Sequence, residues 1–203
     1  MVHLVNCDWG DFLVAMDRRK LIIEAATKSF SLFGYKATTM DQVARLANVG
    51  KGTIYTFFKN KEELFDEIIS SLIRDMKSVA EDAMNRSLTF YENANRVLFG
   101  LLEFRKSHQL TIKLFQEERE IGTQAVVDVV QRMEQAIIHY MIGIIQDAMD
   151  RGEIKPCNPE ITAFAMLKLY VSLIFDWEQN HKPLTKEEIA DLFKLYFFTG
   201  LEK

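Results

Sequence analysis

Residues 48 to 64 read NVGKGTIYTFFKNKEEL, a short span that sets an ammonium group, hydroxyls and aromatic rings behind a glycine. The ammonium of Lys51 suits a guanine O6/N7 edge or a phosphate, and Thr53 suits a base hydrogen bond or a thymine methyl. Tyr55 carries a hydroxyl at the reach of a phosphate, Lys59 and Lys61 add charge at the far end, and Thr39 upstream can donate to another phosphate. Gly52 falls in the first turn of the helix these residues form. Amides are unpaired there, and a side chain would hold the backbone away from a phosphate or base edge. So short a helix with so poor a propensity does not stand alone, and Ile54 and Phe58 must hold it against a core. Phe57 adjoins Phe58; two neighbouring helix positions cannot both face inward, so Phe57 stays open between packing and contact.

The elements around this span give it a frame. Residues 18 to 33 form a first helix with Leu21, Ile22, Ala25, Ala26, Phe30 and Phe33 at three- and four-residue spacing, closed by Gly34 in the left-handed region. Thr39 and Gln42 form a capping box that starts a second helix, which buries Val43 and Leu46 and ends near Ala47. Asn48, tolerated at positive φ, turns the chain with Val49 and Gly50. Helix, turn and second short helix make a helix-turn-helix, with Ala44 small at the crossing and Ile54 filling the angle. Asn60 caps a long fourth helix, residues 61 to 85, with Glu63 at its third position. The head packs around Phe30, Val43, Ile54 and Leu64 and is too small to fold alone, so the fourth helix must join it to a body. Further helices are expected over 90–106, 108–118, 122–152, 158–180 and 185–200.

The fold class is therefore all-α: an N-terminal three-helix helix-turn-helix DNA-binding domain, residues 17–62, plus a C-terminal helical domain, residues 63–203. Residues 1–16 are read as an N-terminal extension with no role assigned, since Met16 would also serve as a start. The net charge of −4 conceals a segregation: residues 17 to 61 carry nine Lys and Arg against three acids, whereas residues 62 to 203 carry 16 basic against 24 acidic groups. A basic head on an acidic body points to a polyanion as the head's partner. Cys7 and Cys157 lie too far apart in sequence for a disulfide framework or zinc motif, no apolar run spans a membrane, and the start lacks a basic leader. A cytoplasmic protein with no membrane partner is expected.

The segment IIEAATKSFSLFGYKATTMDQVARLANVGKGTIYTFFKNKEELFDEII, about residues 20 to 69, resembles the DNA-binding domain of the tetracycline repressor (TetR) family of bacterial transcription regulators. GKGTIYTFFKNKEEL is its most specific part; Asn48 stands where many members have Gly. The resemblance implies a nine-helix homodimer with a variable ligand domain. It places phosphate and base contacts on Thr39, Met40, Lys51, Gly52, Thr53, Tyr55, Phe57 and Lys61.

The last two helices are more apolar than one buried side requires, so residues 158–180 and 185–200 are expected to pair with a second copy. Phe99, Phe104, Phe115, His139, Tyr140, Met141, Phe164 and Tyr170 are the candidates for lining a ligand pocket, with an apolar small molecule as the expected effector. Glu117, Glu118 and Glu120 around Arg119 read as a solvated helix face or as a partner for a cation. No nucleotide-binding loop, nucleophile elbow or metal-ligand spacing of His3, His108, His139 and His181 appears, so neither cofactor, metal nor enzymatic activity is expected. The function expected is a ligand-responsive repressor that binds double-stranded DNA at a palindromic operator. A chromosome-organising DNA-binding protein without an effector is the alternative.

Overall fold

Helices make up the regular structure among the described residues. The computed structural model describes residues 9–85, 87–107 and 109–201, with side chains described for 17–85, 87–104 and 109–201. His3, Cys7, His108 and the first half of the expected extension lie outside those residues. The chain divides into two compact units, up to Ser70 and from Ser71 onward.

In the first unit, α1 (Trp9–Ala37) begins ahead of the predicted Arg18, because nothing between Trp9 and Met16 except Gly10 opposes a helix. Gly34 breaks it with φ 83 and ψ 169, positive as expected but outside the left-handed helical well, in a region almost closed to side-chain-bearing residues. That break redirects the core. Tyr35 turns inward, its ring centroid 5.7 Å from that of Phe30 and 4.5 Å from that of Phe65, while Phe33 and Leu21, expected inside, are half exposed.

Thr39 Oγ1 accepts from the Gln42 amide at 3.2 Å and starts α2 (Met40–Leu46). The inner face of α2 is Met40, Val43 and Ala44, continued by Ala47; Leu46, predicted inside, is 49% exposed because it falls between those positions. The turn that follows is a Schellman motif: the Val49 amide donates to Ala44 O at 3.0 Å and the Asn48 amide to Arg45 O at 3.2 Å, with Asn48 at φ 53. α3 (Lys51–Phe57) is seven residues long. Ile54 is fully buried on its inner side and Phe58, in extended backbone just beyond it, is 2% exposed. Phe30, Val43, Ile54 and Leu64 meet in this core as predicted, joined by Ile22 and Phe65. α4 (Lys61–Ala83) opens on Asn60, whose Oδ1 accepts from the Glu63 amide at 2.8 Å while the Glu63 carboxylate accepts from the Lys59 amide at 2.7 Å.

The second unit holds the rest of α4 with α5 (Phe90–Ser107), α6 (Gln109–Glu120), α7 (Gln124–Asp150), α8 (Pro159–Val171) and α9 (Lys186–Phe193). Asn158 caps α8, and Thr185 and Glu188 form a reciprocal capping box on α9. α8 and α9 do not continue as plain α-helix to residues 180 and 200. Each passes into a wide turn, Ser172–Asp176 and Lys194–Phe198, whose bonds skip five residues.

Gly34→Ala should lower the stability of the first unit by about 1 to 3 kcal/mol, since alanine has no comfortable conformation there. Urea unfolding followed by circular dichroism measures it; an unchanged midpoint would refute the strained geometry.

Candidate nucleic-acid interface and ligand cavity

Anchored through Ile54 and Phe58, α3 turns Lys51, Gly52, Tyr55 and Thr56 to solvent, with Thr53 and Phe57 half-buried. A Cβ built on Gly52 would meet nothing within 4 Å, so no intramolecular crowding demands glycine there. The Lys51 ammonium bonds Asp41 of α2 at 2.9 Å, and both side chains are largely exposed. The hydrogen bond and charge of Asp41 raise the Lys51 pKa, so the ammonium is firmly ionised. An exposed pair of this kind is weakly held and easily exchanged for another anion. Thr39 accepts a bond as helix cap, which leaves its hydroxyl proton free to donate.

Two of the residues assigned to DNA by resemblance are placed otherwise. Met40 is 8% exposed and its side chain belongs to the core, because the first residue of α2 shares a face with Val43 and Ala44. The Lys61 ammonium folds back, donating to the carbonyls of Tyr35 at 2.9 Å and Thr38 at 3.1 Å and lying 4.1 Å from the centroid of the Tyr35 ring. Carbonyls at the end of α1 lack helical partners and attract a cation, which explains the choice. Tyr35 completes the clasp by donating its hydroxyl to the Glu62 carboxylate at 2.8 Å. The Glu62 carboxyl is held below its usual range by the backbone amide of Glu62 itself and then by the Tyr35 hydroxyl. Sequence spacing gives no sign of this clasp, since its two halves lie far apart in the chain.

In the second unit a cavity of about 210 Å³ opens among α4 to α8 and the segment after α9. Of the candidates for a ligand pocket, Phe104, Phe115, Tyr140, Met141 and Tyr170 stand on the wall of this cavity. Phe99, His139 and Phe164 do not. His139 is exposed on the opposite side of α7 from the wall, Phe164 is 50% exposed with the Lys168 ammonium 5.7 Å from its ring centroid, and Phe99 lies under Lys186. Sequence reading missed Phe90, Met133, Phe175 and Phe198 on the wall. Helical spacing from Tyr140 and Met141 back to Met133 carried a signal for one of them; the others arrive through joints between helices.

Polar groups on the wall are few. Glu134 pairs with Lys168, Lys77 pairs with Glu81 at 3.6 Å, and burial followed by the charge of Glu81 pushes the Tyr140 hydroxyl pKa up. The acidic run of α6 divides its roles. Glu117 is buried and accepts from Thr123 Oγ1 at 3.0 Å, Arg119 pairs with Asp176, and burial and then Glu134 push the Glu118 carboxyl up. Among the described residues no cluster suited to a metal ion occurs, and no helix is long and apolar enough to cross a membrane.

An exposed short helix seated in a helix-turn-helix, joined in one chain to a separate helical unit with a cavity, is the plan of a ligand-binding transcription regulator. Residues 22–68 match the model of bacterial regulatory proteins of the tetR family, and residues 92–201 match the tetracyclin repressor-like C-terminal domain. The chain belongs to the TetR family of transcriptional regulators. It is 64% identical over 188 residues to the HTH-type transcriptional regulator YhgD of Bacillus subtilis (strain 168), covering 93% of this chain and 98% of that one. It is 18% identical over 187 residues to the transcriptional repressor KstR2 of Mycobacterium tuberculosis, covering 92% and 94%. Among solved structures, the SmeT–triclosan complex shares the fold at TM-score 0.77 and 16% identity, over 92% of each chain.

Lys61→Met should cost about 1 to 3 kcal/mol, because Thr38 O loses a charged donor and Tyr35 O keeps only the Thr38 amide at 3.3 Å. A urea midpoint equal to wild type would show that the clasp carries no stability.

Proposed function

We propose that the protein is a homodimeric repressor that binds a palindromic operator and is released from it by a small apolar effector. The observation that carries the reading is the geometry of α3: its inner residues Ile54 and Phe58 are buried, while Lys51, Gly52 and Tyr55 face outward with nothing of the protein against them at Gly52. Thr39, Lys51, Gly52, Thr53 and Tyr55 then meet the major groove and its phosphates, with Phe57 at the margin and Asp41 exchanged for DNA. Lys61 acts from behind, keeping α4 seated against the end of α1, and Met40 contributes only packing.

A second copy supplies the second recognition helix. Ile161, Phe164, Leu195 and Tyr196 are each half exposed or more on α8 and the segment after α9, which supports pairing through those helices. Two recognition helices enter successive major grooves when they lie about 34 to 36 Å apart. The cavity supports the effector, and KstR2, a repressor by name, and SmeT, solved with triclosan, are similar proteins in which repression and small-molecule binding occur. Ile73, Met76 and Ala80 of α4 stand on the cavity wall, so an occupant acts on the helix whose first turn carries the clasp. The cavity favours this reading over a chromosome-organising protein.

Gly52→Ala should stabilise the free protein by about 0.5 to 1 kcal/mol, because the site is open and helical. The same change should weaken operator binding roughly tenfold, the scale of one lost base contact. Gel retardation on an inverted-repeat duplex recovered from bound genomic DNA reads the binding; full affinity in the variant would remove α3 from the groove. Titrating an effector into that complex should lower operator affinity about 5- to 150-fold. A molecule that fills the cavity and leaves operator affinity unchanged would defeat the release mechanism.

A further inference from the structure

Thr111 stands on the cavity wall, on α6 one turn before Phe115, and its Oγ1 is closed off from solvent. Among the described residues that oxygen finds no hydrogen-bond partner. A buried hydroxyl left unpaired costs free energy that an occupant bearing a polar group recovers. Tyr140 and Tyr170 also bring hydroxyls to the wall, but Thr111 is the wall residue whose hydroxyl is shut away unsatisfied. Neither charged side chain on the wall gives an ion a desolvated countercharge: Glu134 is paired with Lys168, and Lys77, beside Glu81, is 60% exposed, so its charge is screened by water. An ion entering such a space loses its hydration without a countercharge.

We propose that the cavity takes a neutral amphiphile, an apolar body ending in one hydroxyl or carbonyl that bonds Thr111 Oγ1 when χ1 of Thr111 turns to the second rotamer open to a helical threonine. A cavity of about 150 Å³ holds benzene, so this one holds a body of roughly eight to ten non-hydrogen atoms. Met76, Phe90, Met133 and Phe175 pack the body, and flexible methionines let it vary in shape. The inference rests on the cavity being the effector site and specifies what that site selects.

Calorimetric titration of the full-length protein at neutral pH with 1-octanol, octanoate, octylammonium and ethylbenzene tests it. 1-Octanol should bind roughly tenfold or more tighter than either ion, which must shed its hydration. Thr111→Val should weaken 1-octanol roughly 2- to 10-fold, the net worth of one hydrogen bond, and leave ethylbenzene unchanged or tighter. Thr111→Ser should keep the preference for the alcohol. The proposal is overturned by an absence of 1-octanol binding, by either ion matching it, by Thr111→Val shifting 1-octanol and ethylbenzene alike, or by Thr111→Ser behaving as the valine variant. Operator release is read separately. Hydroxyl-dependent binding without release overturns only the effector reading, and release without dependence on Thr111 overturns only this one.

Discussion

A helix of seven residues cannot hold itself together in water, and the first unit is arranged around that constraint. Burial of Ile54 and Phe58 supplies what local propensity lacks. Once two inward positions carry the stability of α3, its outward positions are released from any structural duty. Glycine at position 52 is the clearest sign: it sits in ordinary helix with open space around it, and its own fold gains nothing from it. A residue the fold does not need, on the outer face of that helix, leaves the backbone there open to whatever the head touches.

The same economy explains the corner between α1 and α4. Gly34 ends the regular helix in a conformation almost reserved for glycine, and beyond it Tyr35 O takes only a 3.3 Å bond from the Thr38 amide, which leaves it and Thr38 O room for a charged donor. Lys61 brings that donor from the first turn of α4, and Tyr35 answers with its hydroxyl on Glu62. Ser29 and Thr38 bond each other at 2.9 Å beneath the corner, fully buried, and Thr38 also donates to Gly34 O at 2.8 Å. Three polar groups that would be costly alone are satisfied together, so the start of α4 is fixed by geometry as well as by apolar burial.

In the second unit the wide turns after α8 and α9 have a visible consequence. Ile174 and Phe175 from one, and Phe198 from the other, reach the cavity wall, while Leu195 and Tyr196 of the second remain exposed. A wide turn shifts the register of the side chains beyond it, which lets one segment serve a cavity and an outer apolar face at once.

Much of the head was legible in the sequence because its signals are local. Thr39, Asn48 and Asn60 act through bonds spanning a few residues, and all three occupy the cap or turn positions expected of them. Ile54 and Phe58 were legible from the mismatch between a weak helix and its aromatic content. The intramolecular partners of Lys61 and the burial of Met40 were not legible, since family likeness assigns a role to a position and the partners of that position come from residues distant in the chain. In the cavity, aromatic content named five wall residues but also Phe99, His139 and Phe164, because composition and spacing do not tell the inner from the outer side of a helix apolar all round. The sequence by itself determined the helices, their caps and the chemistry carried by α3, all of which depend on residues within a turn or two of one another. Tertiary structure alone decided where Lys61 sends its ammonium, which aromatic rings enclose the cavity and that the Thr111 hydroxyl is left unpaired, because each of those outcomes depends on surfaces that meet only after the chain has folded.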